Sequence, residues 1–195
     1  MAALLEQELK QPFTAVNRTG GSSVVGHSAI GQAAPDGYTI STVTVRINMM
    51  HWMGLTKLTR ADYTLIGLLD LVPAGVEVGA VSNYQTLKDV LDDSKANTGK
   101  LQASGTGQGG IGHLALAGVL MKAVMKADQI GCISTDGAAS GLKELVAGSI
   151  QVSTVAPARA LALIKSGKVR LLAAMTPQQI SAFPSAPTHK EKGLD

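Results

Sequence analysis

From Leu101 onward the chain alternates short apolar runs with longer helical ones. A strand at 101–104 leads through a glycine loop to a helix at 113–125. Strand 130–134, helix 138–147, strand 150–155, helix 157–166 and strand 169–174 follow in turn. Strands separated by helices cannot be joined as tight hairpins, so this rhythm predicts a parallel sheet covered by helices on both faces. The fold class is α/β. Upstream the pattern is less regular, with helices predicted at 2–10, 24–34 and 86–97, and strands at 13–16, 38–45, 63–69 and 74–81. A chain of 195 residues has room for one large domain or two small ones.

Composition narrows the function. Aromatic residues make up only 3% of the chain, which argues against a single-strand nucleic-acid binder that stacks bases on rings. The net charge of +3 comes from the second half, where nine Lys and Arg face five Asp and Glu, and it forms no basic stripe of the kind nucleic acid requires. It is compatible with a small anionic ligand held by that half, and equally with a solvated surface. Cys132 is the single cysteine, so no disulfide forms within the chain, and its apolar surroundings (Ile130, Ile133) place it in the core. The sequence Met1–Glu6 shows neither the basic start nor the apolar stretch of a signal peptide, and no run of about 18 apolar residues occurs.

The most informative local segment is Ser104-Gly-Thr-Gly-Gln-Gly-Gly-Ile-Gly-His113, which joins a strand to a helix. In an α/β sheet that is where ligands bind. Glycines let backbone N–H groups approach a ligand, and a helix start adds positive potential, so a carboxylate or phosphate fits. The same residues satisfy Gly-x-Gly-x-x-Gly in two registers (105/107/110 and 107/109/112), and Asp136 stands near where a ribose-binding acid would. A dinucleotide-binding oxidoreductase is therefore an alternative, although that fingerprint belongs after the first strand of a domain. His27, His51, His113 and His189 lack metal-ligand spacing. His113, at a helix start, reads as a capping or packing residue rather than a general base. No combination of nucleophile, base and orienting group is evident, so neither a metal, a cofactor nor an enzymatic reaction is expected.

Ordered short stretches across the whole chain carry a family likeness. Val16-Asn17-Arg18-x-Gly20-Gly21 and Ala33-Ala34-Pro35-Asp36-Gly37-Tyr38-Thr39 come first. Thr86-Leu87-Lys88, Lys95–Leu101, Gly105–Gly110 with His113-Leu114, Leu145-Val-Ala-Gly148 and Phe183-Pro184-x-x-Pro187-Thr188 follow. In this order they resemble the substrate-binding proteins of tripartite tricarboxylate transporters, the Bug or TctC-like family.

The resemblance implies a Venus-flytrap receptor of the type II periplasmic class, with two parallel-sheet lobes. It implies capture of small organic acids, of di- and tricarboxylate type, for delivery to a membrane transporter. On that analogy residues 1–100 with 175–195 form a first lobe and 101–174 a second. Gly105, Thr106, Gly107, Gln108, Gly109 and Gly110 would supply an anion nest. Thr135, Asp136 and Thr154 would line the cleft, with Thr44 facing them from the first lobe. Relatives begin with a signal peptide and a first strand and continue past Gly193, so the first lobe is expected to be incomplete. Another strand would then rearrange to fill the gap, or a second copy of the chain would cover it; alternatively the chain would be a self-associating remnant without ligand. The resemblance implies a periplasmic location, whereas the absence of an evident signal peptide leaves the cytoplasm open. Many members carry a hydroxyl residue in place of Gly110, and a Tyr and a basic residue in place of Thr135 and Asp136. An acid at 136 would repel a ligand carboxylate, or accept a hydrogen bond from an amine or hydroxyl.

Overall fold

The computed structural model describes residues 1–105 and 107–194. They form two compact units, Met1–Thr64 and Leu65–Asp195. The second unit takes in strand β1 (Gly75–Gly79). This strand pairs with β4 (Val152–Ser153) and β5 (Val169–Ala174), and so belongs to the sheet of the second unit.

The first unit contains α1 (Ala2–Leu9), α2 (Val24–Gly31) and single 3-10 turns at Gly21–Ser23, Val45–Asn48 and Arg60–Asp62. The strands expected at 13–16, 38–45 and 63–69 are not formed among the described residues. A strand exists only through its hydrogen-bonded neighbour, and none of these segments has one. Several of their apolar side chains lie in solvent: Tyr38 is 92% exposed and Ile66 85%. The apolar run continues into the second unit through Leu68, Leu69 and Leu71, all exposed. Within the first unit His27 is buried, and its Nε2 accepts the N–H of Thr44 at 3.3 Å. Burial lowers the pKa of His27; a hydrogen bond from the ring to the Ser23 backbone opposes this, and Arg46 adds to the lowering. The ring is therefore neutral at pH 7, as an accepting Nε2 requires.

The second unit is built on a five-stranded sheet in the order β3-β2-β4-β1-β5, with β2 at Gln102–Ser104 and β3 at Gly131–Ile133. β2 pairs parallel to both β3 and β4, while β1 runs antiparallel to β4 and β5. The sheet is mixed rather than purely parallel, because one reversed strand is inserted between two parallel ones. Helix α3 (Leu87–Ala96) begins with a reciprocal capping box: the Asp89 carboxylate accepts the N–H groups of Gln85 and Thr86, each at 2.8 Å, and Thr86 Oγ1 accepts from Asp89. Helices α4 (Ile111–Lys122), α5 (Ala138–Ala147) and α6 (Pro157–Lys165) alternate with the strands.

The core divides as a covered sheet requires. Val76, Val78, Ala103, Val152 and Leu172 from the strands pack with Leu87 and Val90 of α3 and with Leu116 and Leu120 of α4. A second cluster joins Leu142 and Leu145 of α5, Ala160 of α6, Val155 and Val169. Cys132 is only half-buried, with a free thiol whose pKa burial raises. Among the described residues no helix is long and apolar enough to cross a membrane.

Candidate functional site

Because β2, β3 and β4 are parallel, their C-terminal ends share one edge of the sheet. Each is followed there by a helix start, at Ile111, Ala138 and Pro157. None of these three helices has a side-chain cap or an acidic residue in its first turn. The contrast with α3, which caps itself completely, is chemical. Each helix start carries unsatisfied N–H groups and roughly half a positive charge, and three of them collect at one edge. Such a place favours an anion.

The glycine loop lies at this edge. Gly107 and Gly109 have φ of +80° and +73°, which explains why glycine is needed there. Gly105 is needed for a different reason: its backbone meets that of Gly112, and a Cβ on Gly105 would stand 3.0 Å from Gly112 Cα and 2.9 Å from Thr154 Oγ1. The loop also satisfies part of itself. Gln108 N–H donates to Ser134 Oγ at 3.2 Å, Gly109 N–H to His113 Nδ1 at 3.1 Å, and Gly110 N–H to Gly107 O at 3.1 Å. His113 is thus a support for the loop rather than a cap of α4. Thr106 lies outside the described residues.

The other candidate residues separate into two groups. Thr135 and Asp136 follow β3 at the same edge; Thr135 Oγ1 pairs with Ser104 Oγ at 2.9 Å, while the Asp136 carboxylate is exposed. Together with Ser134, Ser140, Glu144 and Ser149 they border an open cavity of about 320 Å³. Thr154 is turned inward instead of lining a cleft. It is 2% exposed, and its hydroxyl donates to Gly112 O at 2.8 Å. It clamps the start of α4 to the end of β4, a role visible only once Gly105 and Gly112 are seen to touch. Thr44 lies in the first unit, where its side chain accepts from Arg46 N–H and lies 3.3 Å from His27 Nε2. Sequence reasoning missed Ser134 as a loop partner; its place directly after a predicted strand, beside Thr135, was the available signal.

Known structures share this fold. Across the full chain the fold matches a TctC solute-binding protein from Polaromonas, without ligand, at 31% identity and a TM-score of 0.76, covering 66% of that chain. It also matches MatC from Rhodopseudomonas palustris with bound malate, at 20% identity and a TM-score of 0.81, over 99% of this chain and 66% of that one. The profile of the tripartite tricarboxylate transporter family receptors matches residues 1–195, and the chain belongs to this family. Among curated relatives, the UPF0065 protein in the gbd 5' region of Cupriavidus necator is 29% identical over 189 residues. That alignment takes in 95% of this chain but 56% of the relative, so the chain spans little more than half of its length.

Proposed function

We propose that this chain binds a small carboxylate at the C-terminal edge of β2, β3 and β4, as the anion-holding part of a periplasmic receptor that serves a membrane transporter. The observation that carries this reading is the set of three uncapped helix starts, α4, α5 and α6, gathered at one edge beside the glycine loop. The loops there bring no Lys or Arg at 105, 107–110, 134–137 or 154–156. Backbone N–H groups must therefore hold the negative charge. Asp136 selects against a second carboxylate close by and favours a ligand whose neighbouring group donates a hydrogen bond, a hydroxyl or an ammonium. An α-hydroxy acid meets the second condition: malate has a hydroxyl beside one carboxylate, which succinate lacks. Binding without turnover agrees with membership of a receptor family.

Thermal unfolding with millimolar malate, succinate, citrate or NAD tests the proposal. A ligand present at about 100 times its Kd adds about 2.7 kcal/mol, or roughly 5–10 °C for a chain of this size. Malate is expected to raise the midpoint more than succinate. No shift with any of the acids would refute carboxylate binding, and a shift with NAD alone would point to the dinucleotide reading.

A further inference from the structure

Glu77 is the one carboxylate of β1, and it is fully buried. Neither of its oxygens, nor Ser153 Oγ across the β1–β4 pairing, makes a hydrogen bond of full geometry among the described residues, although the Ser153 hydroxyl and the Val155 backbone lie near enough to favour the ionised form in part. The site is tight. A Cβ on Gly75 would stand 2.5 Å from Glu77 Oε1, with Leu171 Cδ1 and Pro157 Cγ each 2.9 Å away. Glycine at 75 is what makes room for the carboxyl, which has no exposed surface through which bulk water could hydrate an ion.

Among the described residues no charged group compensates. On β4 the neighbour is Ser153 and on β5 Leu171; Arg170 of β5 donates its guanidinium to the Tyr84 and Ala80 carbonyls. On α6 the neighbour is Pro157, while Arg159 and Lys165 are exposed, as are Lys143 and Glu144 of α5. Burial accordingly raises the pKa of Glu77 well above the usual carboxylate range, partly offset by the nearby Ser153 hydroxyl and the backbone of Val155.

The position matters as much as the burial. The β1–β4 pairing consists of Glu77 opposite Ser153 and Val78 opposite Val152, and the β1–β5 register shifts between Val76 and Glu77. The next residue along β4 is Thr154, whose N–H donates to Ser104 O and whose hydroxyl holds Gly112. Beyond it, Val155 O accepts from Gly75 N–H at 2.8 Å. We propose that Glu77 is a proton-operated lock on this junction. While the carboxyl is neutral, β4 stays seated and Thr154 pins the glycine loop; when the carboxyl ionises, the charge must reach water, the β1–β4 junction opens, and the loop loosens.

The sign follows from linkage. Between the unfolded carboxyl pKa near 4.3 and the raised folded value, the native state retains a proton that the unfolded state has lost. Stability therefore falls as pH rises through that window. The test is amide hydrogen exchange, corrected for intrinsic rate, at about pH 5 and about pH 8, together with thermal unfolding at both. In the unmodified chain, protection of the Thr154 and Gly75 amides is expected to fall by about tenfold at the higher pH. In Glu77→Gln protection should stay flat, with a higher midpoint at high pH. Ser153→Ala keeps the carboxyl and should keep the pH response. Flat protection in the unmodified chain, or the same loss in Glu77→Gln, would overturn the proposal. The readout involves no ligand, so its outcome stands apart from carboxylate binding.

Discussion

Gly112→Ala is expected to destabilise the protein by about 1–3 kcal/mol, the range for an atom forced into a packed site, and to abolish stabilisation by carboxylates. Helix propensity alone would favour alanine there by about 1 kcal/mol, since Gly112 lies in the first turn of α4. The clash outweighs that gain. The new methyl would stand 2.9 Å from the Thr154 carbonyl oxygen and 3.0 Å from Gly105 Cα, both backbone atoms that cannot swing aside. Relief requires α4 to move away from β4, which breaks the Thr154–Gly112 hydrogen bond and displaces the loop. Gly118, in the same helix, has nothing within 4 Å of its would-be Cβ, so Gly118→Ala should stabilise by about 0.5–1 kcal/mol. Urea unfolding of the pair separates steric clash from helix propensity; a stabilised Gly112→Ala would show that the close approach does not exist.

Leu120→Ala carries the largest expected loss of stability, about 2–5 kcal/mol. Leu120 is fully buried on α4, within the cluster that joins four strands of the sheet to α3 and α4. Truncation leaves a cavity that neighbours on several elements cannot fill together. Against a total stability of about 5–15 kcal/mol for a typical domain, such a loss removes a large share. Equilibrium urea denaturation should show a lower midpoint with an unchanged slope. A loss under about 1 kcal/mol would mean that α4 is not seated on the sheet as described.

The two halves of the chain were legible to different degrees, for a physical reason. From residue 101 the βα rhythm is local, and it located helix 138–147 and strand 169–174 as observed. The reversed direction of β1 was not legible, because strand composition records burial and says nothing of polarity. Strand 150–155 shrank to Val152–Ser153 since only those residues stand in ladder register with β1 and β2, while Gln151, Thr154 and Val155 make single hydrogen bonds beyond it. Upstream, segments such as 63–69 have the composition of strands, yet composition creates no ladder, and none forms. At the site, the glycine loop and its place before a helix could be read directly. The inward turn of Thr154 could not, because it depends on contact between Gly105 and Gly112, and the buried Glu77 gave no local sign of its surroundings.

Titration of the 15N-labelled protein with malate, followed by amide chemical shifts, tests whether backbone N–H groups at the edge of β2, β3 and β4 hold a carboxylate. Saturable shifts are expected at 107–113 and at 137–138, where α4 and α5 begin without caps. The self-capped start of α3 at Thr86–Asp89 should remain unmoved. Shifts absent at millimolar malate, or spread evenly over exposed residues without saturation, would contradict binding there.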